Sequence, residues 1–131
     1  MQPTRTFSTS FGTDATLLTT TETLIVTSPL VRSHLNSALI TVSAYAQLTT
    51  GVATTGVVVR IRKGASLAGA LIGESNTITI GAAAGSTEVF SMLLTDQLEG
   101  EQITQYSLTL QQVAATGNGT VLRSGIVVLL S

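Results

Sequence analysis

The stretch that decides the fold is residues 37–49, which read SALITVSAYAQLT. Apolar side chains occupy alternate positions, with Ala38, Ile40, Val42, Ala44, Ala46 and Leu48 on one side and Leu39, Thr41, Ser43, Tyr45 and Gln47 on the other. Alternation over a run of this length predicts a half-buried β-strand with one apolar face and one mixed face.

Neighbouring segments carry the same signal. In the run 54–63, Val57, Val59 and Ile61 alternate with Val58, Arg60 and Arg62. The pattern predicts further strands over residues 16–27, 70–80, 87–95, 104–113 and 120–130. Gly-rich turns separate them, and Asn118-Gly119 is typical of a hairpin turn. No segment has a convincing helical period.

Short strands at regular spacing with Gly-rich turns indicate an antiparallel sandwich or barrel rather than βαβ units. We predict an all-β fold, an antiparallel eight-stranded jelly-roll sandwich. The sandwich is expected over residues 14–131 as a single domain, with residues 1–13 as an N-terminal arm or edge strand. An immunoglobulin-like sandwich is the rival fold, but its Cys and Trp hallmarks are absent.

The composition excludes several classes of protein. Hydrophobic residues make up 44% of the 131 residues and charged residues only 10%, the opposite of a disordered chain. Six Lys and Arg and a net charge of −1 predict no nucleic-acid partner. No run approaches 18 consecutive apolar residues, so no membrane-spanning helix is expected. A surface with so little charge indicates that neighbouring subunits cover much of it.

The sequence offers little for catalysis. His34 is the only His, and a Ser–His–acid triad around it is the one nucleophilic arrangement available. No Ser lies in a G-x-S-x-G elbow. We therefore interpret His34 as a loop residue and predict that the protein is neither an enzyme nor the holder of a cofactor.

Two charged groups are candidates for contact with other chains. Asp96, Glu99 and Glu101 are predicted to lie in an acidic loop, 96–101, and whether that loop binds Ca²⁺ is left open. Arg60 and Arg62 share one face of a strand, where they are able to bind an anion or the acidic loop of a neighbouring copy.

The runs Val57–Gly64 (VVVRIRKG) and Leu71–Glu74 (LIGE), with Ala115–Thr120 (ATGNGT) before the apolar last strand, resemble a pattern in small virion proteins of tailed phages. The resemblance covers roughly residues 55–131. It implies a tumour-necrosis-factor-like jelly roll, found in head decoration (cement) proteins and in fibre-tip domains.

The resemblance implies a homotrimer that binds the major capsid protein or other virion proteins at the capsid surface. Phe7 and Phe11, in the Thr- and Ser-rich arm, are then candidate contacts with a neighbouring subunit or with the capsid. The alternative is a receptor- or carbohydrate-binding fibre tip. The sequence does not separate a head protein from a tail protein, and it does not identify the host or the docking face.

Overall fold

The computed structural model of this chain describes residues 6–12, 16–32, 38–50, 55–80, 87–98, 102–113 and 119–130. These residues form strands and their connections, with no helix among them. In chain order the strands are β1 (Thr6–Gly12), β2 (Thr16–Leu17), β3 (Thr23–Thr27), β4 (Val31–Arg32), β5 (Ala38–Thr50), β6 (Thr55–Lys63), β7 (Ala70–Glu74), β8 (Ile78–Ile80), β9 (Thr87–Leu98), β10 (Ile103–Thr104), β11 (Tyr106–Gln112) and β12 (Gly119–Leu130).

The strands form two antiparallel sheets. The first sheet has the order β1-β12-β5-β9, and β2 pairs with the opening residues of β12. The second has the order β3-β11-β6-β7, and β8 continues along β6 where β7 ends. A two-residue ladder joins β4 to β10.

The chain passes between these sheets in the order of a jelly roll. β1, β5, β9 and β12 lie in the first sheet, and β3, β6, β7 and β11 in the second, so most consecutive strands are in opposite sheets. Two Greek keys arranged in two sheets define this fold. The predicted all-β jelly-roll sandwich is confirmed, and the described residues divide it into more segments than the eight strands expected.

The core lies between the two sheets and is built by the predicted alternation. From β5 it contains Ile40, Val42 and Leu48, and from β6 it contains Val59 and Ile61, all at most 1% exposed. Burial of these two apolar faces against each other is the main source of the sandwich's stability.

One predicted strand, 16–27, is two strands in different sheets. β2 pairs with β12, β3 pairs with β11, and the chain crosses between the sheets over residues 18–22. Leu18 is fully buried at the crossing, and its N–H donates a 2.7 Å hydrogen bond to the Gly119 carbonyl. Because β-branched residues favour strand throughout this run, the pattern has no signal for the crossing.

The predicted strand 70–80 is also interrupted. The Val59 N–H donates to Ser75 Oγ at 3.0 Å, and the Ser75 N–H donates to the Val59 carbonyl at 2.8 Å. A side-chain hydroxyl therefore takes a position in the ladder that a backbone carbonyl would fill, and the strand resumes only at Ile78.

Within the predicted arm, residues 6–12 form an edge strand. β1 pairs with β12 over its whole length, from Thr6 opposite Leu130 to Gly12 opposite Ser124. Of the two alternatives for this segment, the described residues therefore form the edge strand.

Candidate interaction surfaces

The outer face of the second sheet carries a carboxylate–guanidinium network of Glu22, Glu74, Arg60 and Arg62. Arg62 binds Glu22 with two parallel hydrogen bonds, Nε to Oε2 at 2.6 Å and Nη2 to Oε1 at 2.9 Å. Arg60 donates to Glu22 Oε1 and to Glu74 Oε2, each at 3.2 Å. Bidentate pairing of this kind is the strong form of a surface ion pair.

Neutral side chains complete this network. Thr109 Oγ1 donates to Glu22 Oε2 at 2.8 Å, and Arg60 Nη1 donates to Gln111 Oε1 at 2.7 Å. Arg62 Nη1 also donates to the Gly69 carbonyl at 3.0 Å. The hydrogen bonds from Arg62 hold the pKa of the Glu22 carboxyl below its ordinary range, and the same contact raises the pKa of Arg62.

The network covers β11 from outside. Ser107 and Thr109 alternate along β11 with the core residues Tyr106, Leu108 and Leu110 and so face away from the core, yet both are fully buried. Glu22, at the entrance to β3, reaches over Thr109 to the arginines of β6. β11 is therefore buried on both faces, which its alternating sequence did not indicate.

The network engages Arg60 and Arg62 with carboxylates of their own chain. Two arginines face two glutamates, so this part of the surface has no excess of positive charge. The role of Arg60 and Arg62 as contacts to another subunit or to a capsid stays a prediction.

Asp96 does not lie in an acidic loop. It belongs to β9, opposite Ile40 of β5, because the strand continues to Leu98. Its Oδ2 accepts a 2.7 Å hydrogen bond from the buried Tyr106 hydroxyl and lies 3.3 Å from Lys63 Nζ. These partners from the second sheet satisfy the carboxylate, which explains how an acidic residue is accommodated within a strand. The pKa of Tyr106 is raised, mainly because its hydroxyl is buried and further because that hydroxyl donates a hydrogen bond to Asp96.

Glu99, Glu101 and His34 fall outside the described residues, so Asp96 is the one acidic residue of the predicted Ca²⁺ loop that the structure describes. In the described ranges, no three His, Cys, Asp or Glu residues are grouped in a way that would hold a metal ion. Phe7 pairs with Leu129 and Phe11 with Gly125 in the backbone register, and their contact role stays a prediction.

The outer face of the first sheet has a different chemistry and is called the neutral face below. It is formed by the outward residues Leu17 of β2, Leu39, Thr41, Ser43, Tyr45, Gln47 and Thr49 of β5, Thr87, Val89, Ser91, Leu93, Thr95 and Gln97 of β9, and Thr120, Arg123, Val127 and Leu129 of β12. Leu93 is 71% exposed and Val89 is 69% exposed. Arg123 is the one charged residue among these described positions, and it lies towards one end.

Sequence reasoning identified the mixed side of β5 but not this continuous face. The signal was present in β9, where Val89, Ser91, Leu93 and Thr95 alternate with bulkier apolar residues. The sequence does not show the register that places this row of β9 beside the outward residues of β5. Only pairing in the sheet joins the rows into one surface.

Comparison with known proteins identifies a fold. No family model and no curated protein matches the chain. A chain in the structure of the infectious bursal disease virus Gx strain has a TM-score of 0.59 over 98% of this chain, with 11% identity. A chain of T=1 particles derived from infectious bursal virus has a TM-score of 0.55 over 97% of this chain, also with 11% identity.

This chain covers 32% and 36% of those two viral chains and so spans about a third of their length. At these identities the likeness shows the fold alone. A chain of Bacillus endospore appendages has a TM-score of 0.44 and 13% identity, which is too low to support an argument. Among the described residues, no helix is long and apolar enough to cross a membrane.

Proposed function

We propose that this protein is a structural component of a virus particle, a head decoration (cement) or minor capsid protein of a tailed phage that binds the capsid surface as a homotrimer. The observation that carries the proposal is the contrast between the two outer faces of the sandwich. One face satisfies its charges internally through Glu22, Arg60 and Arg62. The other is almost uncharged and exposes Val89 and Leu93.

An uncharged exposed face supports a role in assembly. Exposed apolar patches larger than a few hundred Å² mark binding surfaces on soluble proteins. The buried centres of protein interfaces are depleted in charge, as this face is. A protein that acts by burying surface against other subunits needs such a face and no reactive group.

The fold and the phage-like runs support the same role. Two of the structures to which this chain is similar are of a virus and of particles derived from one. The run VVVRIRKG lies in β6 and the turn after it, and LIGE lies in β7 beside it, where Arg60 pairs with Glu74. Two of the three runs that carry the resemblance therefore form one unit of the second sheet, and Gly119 and Thr120 of the third begin β12 of the first sheet.

The proposed mechanism is multivalent binding. Each copy in a trimer binds its site on the capsid with modest affinity, and linkage of the three sites raises the overall affinity about 10²–10⁴-fold without any new contact. The bound trimer then ties neighbouring capsid subunits together and resists their separation.

The test is co-sedimentation with capsid shells assembled from the major capsid protein of the same virus. We expect saturable binding of the purified protein and a higher temperature of shell disruption. Failure to sediment with shells at saturating concentration would overturn the proposal. Binding to host cells without binding to shells would instead support the fibre-tip alternative.

A further inference from the structure

We infer that the neutral face is the surface through which copies of this chain bind one another. The inference rests on the proposed function for its setting, a virus particle, and deepens it by naming the surface and the partner. The partner is a second copy of this chain.

The apolar end of β12 is the first argument. Residues 126–130, IVVLL, are apolar at every position, although the strand has an inner and an outer face. Ile126 and Val128 are fully buried in the core, whereas Val127 and Leu129 face outward and are only half-buried. Continuous apolar runs are typical of strands that are covered on both faces. The sequence of β12 therefore indicates that the outer side of the first sheet is covered in the assembled protein. The described residues of a single chain do not provide that cover, because they leave Val127 and Leu129 only half-buried.

The size of the face is the second argument. β5 has 13 residues and β9 has 12. At about 3.4 Å per residue and about 4.8 Å between strands, the outer side of the first sheet, in which the backbone of β1 flanks the neutral face, measures about 40 Å by 19 Å. This area is close to the roughly 800 Å² per partner of a stable interface. The outer side of the first sheet is therefore large enough to hold neighbouring copies together.

The chemistry of the face selects a copy of the same chain over other partners. Arg123 is its one described charge, so a nucleic acid or an anionic lipid surface meets almost no cations there. Tyr45 is the one aromatic residue on the described outward rows of β5, β9 and β12, and no carboxylate or Asn on those rows accompanies it for binding a sugar. A face of Leu, Val, Thr and Ser matches the polarity of the equivalent uncharged surface on neighbouring copies in a trimer, so that contact requires no opposite charge.

The test measures the solution mass of the full chain by light scattering coupled to size exclusion. We expect wild type to have at least twice the 13.5 kDa of one chain. Leu93→Arg places a charge on the neutral face midway along β9, and we expect it to reduce the mass to that of one chain. Leu30→Arg is the matched control, because Leu30 is 65% exposed between β3 and β4 and outside the neutral face. This control is expected to keep the wild-type mass.

A milder pair of variants covers the case in which Leu93→Arg fails to fold. The chain has no Cys, so Leu93→Cys and Leu30→Cys each introduce a single thiol that benzophenone maleimide labels. On irradiation, we expect a two-chain product from Leu93→Cys and none from Leu30→Cys. A monomeric wild type, or a folded Leu93→Arg that keeps its assembled mass, would overturn the inference, and so would absence of the two-chain product. An assembled protein that fails to bind shells would overturn the proposed function and leave this inference standing.

Discussion

The hydroxyl of Tyr106 donates a 2.7 Å hydrogen bond to Asp96 Oδ2 and so joins β11 of the second sheet to β9 of the first. The backbone N–H of Gln97 donates to the other oxygen, Oδ1, at 2.9 Å, and Lys63 Nζ lies 3.3 Å from Oδ2. Tyr106 is fully buried, so its hydroxyl has been removed from water and depends on this partner. The contact ties the two sheets together where the core meets the end of the sandwich.

Removal of that hydroxyl is expected to destabilise the fold. Tyr106→Phe deletes one hydrogen bond to a charged group, which is expected to lower the free energy of unfolding by about 1.5–3 kcal/mol. Urea denaturation at neutral pH measures the change. Tyr45→Phe, in the half-buried outer row of β5, is the control and is expected to change stability by less than about 0.5 kcal/mol. Equal effects of the two variants would contradict a special role for the Asp96 contact.

The same contact predicts a loss of stability in alkali. Folding raises the pKa of Tyr106, so the folded state holds the proton that the unfolded chain releases at about pH 10. The stabilisation is therefore complete below that pH and declines as the pH rises above it. We expect the stability difference between wild type and Tyr106→Phe to shrink between pH 9 and pH 11, and denaturation at several pH values measures it. A constant difference over that range would contradict the assignment.

Glu22 is expected to make the protein less stable as the pH falls, whereas Tyr106 makes it less stable as the pH rises. Its pKa is lowered in the folded state, so the unfolded chain takes up a proton first as the pH falls. The stabilisation is full at neutral pH and is lost as the pH falls through about 4 and then through the lower folded pKa.

Glu22→Gln is expected to lower the free energy of unfolding by about 1–2 kcal/mol at pH 7, since it weakens hydrogen bonds to two arginines. Chemical denaturation of both proteins at pH 7 and pH 3 is the measurement, and the variant should lose less stability between the two values than wild type. Glu88→Gln, at an exposed carboxylate of β9, serves as the control. If this control reproduced the Glu22 result, the network would not be its source.

Gly73 of β7 allows a close approach between the two sheets. A Cβ at this position would lie 2.6 Å from Leu94 Cδ2 of β9. Gly73→Ala is expected to lower stability by about 1 kcal/mol, the lower end for overpacking, because the clash is with the end of a Leu side chain that is able to move. Combining it with Leu94→Ala removes the clash, so a double-mutant cycle should show a coupling of at least about 0.5 kcal/mol. Strict additivity of the two changes would contradict direct packing.

Phe7 and Phe11 lie in β1, the edge strand, and are predicted to contact the capsid or a neighbouring subunit. We expect the double substitution of both residues by Ala to reduce co-sedimentation with capsid shells several-fold. Thr9→Ala, in the same strand opposite Val127, is the control and should retain wild-type binding. Unchanged shell occupancy in the double variant would remove these residues from the contact.

Sequence reasoning predicted the inward and outward rows of the long strands correctly. Ile40 and Val42 of β5, Val59 of β6 and Leu108 of β11 are all fully buried, as their alternation indicates. This success has a simple cause. A strand has a period of two, so a run of alternating residues encodes its own faces whatever its neighbours are.

Reasoning of this kind did not locate the crossing between sheets or the partner of Asp96. Thr16–Thr27 has strand propensity throughout, and an acidic residue after a strand resembles the start of a loop. Leu18 is buried in the core where the chain crosses between the sheets. The buried Tyr106 hydroxyl donates a hydrogen bond to Asp96, so this carboxylate is accommodated within a strand. Both outcomes depend on residues that come together only when the two sheets pack.

The sequence alone determined that this protein is an all-β sandwich with little surface charge, because side-chain alternation and composition are local properties of the chain. The tertiary structure decided which charged residues pair with one another and which surface stays exposed and almost uncharged. Glu22 crosses β11 to reach Arg60 and Arg62, and strand register places the outward rows of β5, β9 and β12 side by side. Long-range pairing sets both arrangements, since each brings together segments that no local pattern relates.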